Sequence, residues 1–143
     1  MTSVTGLAAV LKNLEDLHSR AEAEAGKAVR ATAQAIRNDA IVSVKSHLSA
    51  GEVYTRGTVK HVASKPGSPP NQDRGTLTRN IRVTMNDDLT ADVSSNAPYS
   101  AALEFGTSNM DARPFMTPAV EGQRVKHKER LQKAIMRAAS HAK

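Results

Sequence analysis

The sequence predicts an α+β fold, with a long N-terminal helix, a small antiparallel sheet built on a central hairpin, a short helix and a C-terminal helix. Three observations predict it. Apolar residues recur at helical spacing between Leu7 and Leu48, two alternating segments flank the turn-forming run Asn86-Asp87-Asp88-Leu89, and a second helical pattern follows Thr117-Pro118. Helices segregated from an antiparallel sheet define this class. At 143 residues, 39% of them apolar, the chain fits one domain spanning 1–143.

The first helix is expected over about 6–49. Its stripe is Leu7, Val10, Leu11, Leu14, Leu17, Ala21, Ala25, Ala28, Ile36, Ala40 and Val44, with Thr5 as N-cap and Gly51 ending it in a left-handed turn. Such a helix would run to roughly 63 Å, whereas a compact chain of this length has a radius of gyration of about 14 to 15 Å. It must therefore bend or project. Bending falls on Gly26, just after the capping-box pair Ser19 and Glu22; projection leaves the alanine-rich half in need of a partner chain.

Residues 52–75 read as a loop with a possible hairpin. Val53, Tyr54, Thr55, Thr58, Val59 and Val62 are β-formers around Arg56-Gly57, and the run from Ser64 to Gly75 holds three prolines and two glycines. So polar a segment is expected to move freely in the isolated subunit and to become ordered against another chain. The sheet and short helix occupy 76–107. Asp73 or Thr76 caps a turn with Leu77 and Ile81 at i and i+4, and Arg82–Met85 pairs with Thr90–Ser94. Ser95 or Asn96 then caps a short helix carrying Pro98, Tyr99 and Leu103 and ending at Gly106. The last helix, about 117–140, has the stripe Val120, Leu131, Ile135 and Ala138.

Composition excludes several classes of function. The chain has no Cys, so it has no disulfide framework, thiolate zinc site or cysteine nucleophile. Leu7–Leu11 is its longest purely apolar run, far short of a membrane helix and without a preceding basic residue, so a soluble, unexported protein with no membrane partner is expected. His18, His47, His61, His127 and His141 lack metal-ligand spacing, neither GxGxxG nor GxxxxGK[ST] occurs, and Asp87-Asp88 reads as a solvated turn. No cofactor and no enzymatic activity are expected.

Net charge is +6, unevenly placed. Residues 86–112 contain five acidic and no basic residues, while 51–85 and 113–143 are strongly basic. Such polarity suits nucleic acid, a membrane surface or a neighbouring copy of the same chain. The cluster Arg124, Lys126, His127, Lys128, Arg130, Lys133 and Arg137 keeps a DNA-binding accessory module open as the alternative function.

The segment from Ala97 to Val120 uses three of the chain's four aromatics and three of its six prolines. Packing alone makes Tyr99, Leu103, Phe105 and Phe115 core anchors. Its word order says more. Pro98-Tyr99, Glu104-Phe105-Gly106-Thr107, Met110, Ala112, Pro114-Phe115 and Pro118-Ala119 resemble the hallmark of small neck or tail-completion proteins of long-tailed bacteriophages. Upstream, Pro66-Gly67, Pro69-Pro70, Asp73-Arg74-Gly75-Thr76-Leu77 and Asn80-Ile81 are similar to that family's proline-glycine loop, with Arg74 standing where an acidic residue is more usual. The resemblance implies a non-enzymatic virion protein that forms a homo-oligomeric ring, joins head to tail, and has connector and tail proteins as neighbours. Assembly in the host cytoplasm and weak contact with the genome are compatible with it. Arg113, Glu104, Pro66, Pro69 and Pro70 are then candidate subunit contacts, Arg113 facing a carboxylate such as Glu104 within the chain or across to a neighbour.

Overall fold

The computed structural model describes residues 6–46 and 50–140, with the backbone alone at Arg56. The expected cap Thr5, the helix end at 47–49 with His47 and Leu48, and His141 lie outside the described residues. The chain runs α1 (Leu7–Ser46), β1 (Val53–Arg56), β2 (Val59–Val62), α2 (Thr76–Arg79), β3 (Ile81–Met85), β4 (Ala91–Ser95), α3 (Ser100–Phe105) and α4 (Met116–Ser140). This is the α+β order, although the strands form two separate two-stranded antiparallel sheets.

α1 is one continuous helix of 40 residues, about 60 Å long. It projects. α4 runs antiparallel to it, shown by contacts of Asp39 with Gln123, Thr32 with His127 and Glu24 with Arg137. Beyond the end of α4, Leu7, Val10, Leu11 and Leu14 of α1 are 52–59% exposed. The uncovered part is thus the leucine-rich end, while the alanine-rich half lies against α4. Gly26 does not break the helix; it makes room for the β3–β4 turn, because a Cβ there would stand 2.6 Å from the carbonyl oxygen of Asp88.

The α1–α4 seam is built from small and polar side chains. Ala28, Thr32, Ala33, Ala40 and Val44 of α1 are buried, as are Ala119, Gln123, Ala134 and Ala138 of α4. Small residues let the backbones approach, and polar rungs then satisfy one another. The Thr32 hydroxyl donates to the Ala28 carbonyl at 2.9 Å and meets His127 Nδ1 at 2.9 Å and Arg130 Nη1 at 3.2 Å. Its oxygen accepts from Arg130, and the direction of its bond with His127 follows the imidazole tautomer. Arg130 also donates to Gln123 Oε1, whose amide nitrogen donates to Asp39. The expected α4 stripe is therefore shifted: Ala138 is buried and Leu131 half-buried, but Val120 and Ile135 are 42% and 56% exposed. Hydrophobicity alone points to the wrong face because alanine and glutamine line the right one.

The β3–β4 hairpin lies on α1 with Ile81, Val83, Met85, Ala91, Val93 and Ser95 inward and Arg82, Thr84, Asp92 and Ser94 exposed. Its turn is closed by Asp87 Oδ1, which accepts the N–H groups of Leu89 and Thr90, both at 2.7 Å. The bond to the Thr90 side chain, then that to Leu89, hold the Asp87 carboxyl below its ordinary value. Ala40, Val44, Leu77, Ile81, Ala97, Phe115 and Ala119 form the core. Ile81 joins it as the first residue of β3 instead of sharing a helix with Leu77. Neither short helix has the expected side-chain cap: α2 starts from Gly75 at φ 72° and α3 from Tyr99. Backbone geometry at glycine replaces the first, and Ser100 Oγ, bonded back to the carbonyls of Ala97 and Ser95, braces the second.

Gly26→Ala tests the close approach of the turn. Alanine normally adds about 1 kcal/mol to a helix, whereas overpacking removes about 1–3 kcal/mol. The substitution is expected to lower the thermal midpoint despite its better helix propensity, read by circular dichroism.

Candidate assembly surface

The link between α3 and α4 organises the hallmark segment. Glu104, on the last turn of α3, is buried and points at the start of α4. Its Oε2 accepts the N–H groups of Phe115 and Met116 at 2.9 and 3.0 Å, and its Oε1 that of Thr117 at 2.8 Å. A helix N-terminus leaves such donors unpaired and carries partial positive charge, so a carboxylate is the fitting cap. Burial works to raise the Glu104 carboxyl, but the Thr117 hydroxyl and the three backbone donors outweigh it and hold it below its ordinary value. Phe115, at 1% exposure, is locked into the core beside this cap.

Gly106 makes the return possible. Its φ is 77°, and a Cβ there would lie 2.8 Å from the Met110 carbonyl and 3.0 Å from the Ala112 nitrogen, so both conformation and space require glycine. Thr107 and Met110 then close a tight turn through reciprocal backbone bonds of 2.7 and 3.3 Å.

The proline-glycine loop is clamped to this link. Gly67 N–H donates to the Ala112 carbonyl at 2.9 Å, and Arg113 Nε donates to the Ser64 carbonyl at 3.1 Å. The two stretches that carry the family resemblance are thereby neighbours in space, and with β1 and β2 they border a groove lined by Tyr54, His61, Asp73, Tyr99 and Arg113. Ser64 Oγ is buried at this margin without a hydrogen-bond partner.

Two expectations need correction. Phe105 and Tyr99 are not core anchors; they are 80% and 44% exposed. Phe105 follows Glu104, and aiming the carboxylate inward at α4 leaves the next side chain on the outside of the short helix. Arg113 does not meet Glu104 within the chain: the carboxylate is committed to backbone donors, and the guanidinium reaches Ser64 instead. Among the candidate contacts, Pro66 is exposed, Pro69 half-buried and Pro70 buried; Tyr99 and Thr107 are exposed, and Leu103, Gly106 and Pro114 are half-buried. Pro118 is exposed on the first turn of α4. The basic cluster of α4 is divided: His127 and Arg130 face α1, Arg137 approaches Glu24, and Arg124 pairs with Glu121. Among the described residues there is no group of side chains that could hold a metal ion, and no helix is long and apolar enough to cross a membrane.

The arrangement combines a braced link, a clamped loop and an outward-facing aromatic. Residues 8–106 match the family described as "Bacteriophage HK97-gp10, putative tail-component". The chain belongs to that family, one of structural phage proteins and not of enzymes. The match runs from α1 through α3 and stops at Gly106, so Pro114, Phe115 and Pro118 lie beyond it. No curated protein and no solved structure matches the chain.

Glu104→Ala is expected to lose about 2 kcal/mol or more, since three donors at a buried helix start are orphaned together. Because the folded-state carboxyl is depressed, its contribution is complete above the unfolded carboxylate range and is lost as pH falls through the depressed value. Denaturant titrations should show the wild-type advantage shrinking in acid; a gap independent of pH would contradict the charged cap.

Proposed function

We propose that this chain is a structural subunit of the phage neck or tail-completion apparatus, forming an oligomeric ring that joins head to tail. The observation that carries the reading is Phe105. One of only two phenylalanines in a core-poor chain stands 80% exposed, beside a glycine turn and on a helix held by Glu104. A large apolar group presented this way marks a contact surface. Membership of a phage tail-component family supports the virion as the setting, and assembly in the host cytoplasm is part of this reading. Pro66, Pro69 and Arg113 flank the surface in this reading, and the buried Glu104 and Pro70 hold its shape. The acidic 86–112 segment and the basic segments on either side of it favour a head-to-tail arrangement of copies, because opposite charge steers and registers association.

Phe105→Ser tests this. An exposed substitution should change stability by no more than about 0.5 kcal/mol. Supplied to a phage lacking the gene, the variant should leave heads and tails unjoined by electron microscopy where the wild-type chain restores infectious particles. Full restoration by the variant would remove Phe105 from the contact, and absence of the wild-type protein from purified virions would overturn the reading altogether.

A further inference from the structure

The β1–β2 hairpin is poorly supported by the rest of the chain. Neither strand packs extensively on any other named element, and Val53, Tyr54, Val59 and Val62 are 40–60% exposed. An isolated two-stranded hairpin is marginal in water. Its attachment runs through the following loop, where Asn71 Nδ2 donates to the Val62 carbonyl at 2.9 Å and Asp73 lies 3.9 Å from His61.

Ladder geometry shows which backbone groups are free. The bond from Ala63 N–H to the Glu52 carbonyl makes 52 and 63 a hydrogen-bonded pair, so 54 with 61 and 56 with 59 bond inward as well. Val53 and Thr55 therefore turn their N–H and C=O groups away from β2, and these groups have no partner among the described residues. The same reasoning applies to the second hairpin. The Asn96–Asn80 and Asn86–Thr90 bonds make the even positions of β3 and β4 inward, leaving Ala91 and Val93 on β4 with free outward groups. Ser95, the next outward residue, is already engaged, its carbonyl accepting from Ser100 Oγ.

We propose that β1 of one subunit adds, antiparallel, to the free edge of β4 in a second copy, giving a four-stranded sheet shared between neighbours. The free groups match in spacing. Val53 opposite Val93 and Thr55 opposite Ala91 satisfy all four residues' outward N–H and C=O groups at once. Charge favours β4 in the same register: residues 52–62 hold Arg56 and Lys60 against one acid, Glu52, while the turn and β4 hold Asp87, Asp88 and Asp92. Arg56 falls opposite Thr90, next to that acidic turn. The inference rests on the oligomeric reading above and specifies its joint.

Because the chain has no Cys, a double substitution Thr55→Cys and Ala91→Cys introduces the only thiols. Opposed residues of this kind lie about 5.5 Å apart between Cα atoms, within disulfide reach. Particles assembled with this double variant should give a ladder of covalent multimers on a non-reducing gel, collapsing to single chains with reductant. Particles that contain the double variant only as single chains would overturn strand addition while leaving the ring reading intact; particles without the wild-type protein would overturn both. If the double variant is not incorporated, Thr55→Pro decides. Its lost N–H points away from β2, so the hairpin ladder survives, confirmed by an unchanged circular dichroism spectrum. Joined particles should fall at least tenfold, and undiminished joining by the folded proline variant would overturn the proposal.

Discussion

The carboxylate of Glu104 at the head of α4 is the contact on which the rest of the structure depends. It takes three backbone donors from consecutive residues and so fixes the direction in which α4 leaves the link. That direction seats Phe115 and Ala119 in the core and lays Gln123, His127 and Arg130 along α1. Once α4 is placed, Ala112 and Arg113 are in position to hold the proline-glycine loop. A charge that would be a liability inside a small core is stable here because hydrogen bonds to ionised oxygen exceed its desolvation penalty.

The seam between the long helices follows a different logic. It contains little large apolar surface, so it is specified by polar pairs that fit in one register. Sliding α4 by one turn would separate Gln123 from Asp39 and Thr32 from His127 together, leaving buried polar groups unpaired. The register of a nearly featureless alanine surface is thus set by hydrogen bonding. This also explains why so many larger apolar side chains, Val120, Val125, Ile135 and Met136 among them, remain outside.

What could be read from sequence was local. The β3–β4 pairing followed from alternation around Asn86–Leu89, the extent of α1 and α4 from periodicity, and the return at Gly106 from the residue itself. Contacts between distant positions were not legible: Thr32 and His127 are 95 residues apart, and Glu104 caps a helix beginning twelve residues later. The exposure of Phe105 departs from the sequence expectation for a different reason. Scarcity of aromatics argues for burial only if folding alone decides where they go, and the β1–β2 hairpin, with its exposed valines, shows the same departure from that premise.

The alanine-built core has a thermodynamic consequence. Heat capacity of unfolding rises with apolar surface exposed and falls with polar surface exposed, and averages about 12–15 cal/mol/K per residue. A seam of alanine, threonine, glutamine and arginine shifts that balance toward the polar side, so the free subunit should have a heat-capacity increment below that range and a shallow stability curve. Any burial of the valines of β1–β2 or of Phe105 against a neighbour then adds apolar area comparable in kind to the core itself. Association would steepen the curve, so temperature would act differently on the lone chain and on the assembled one.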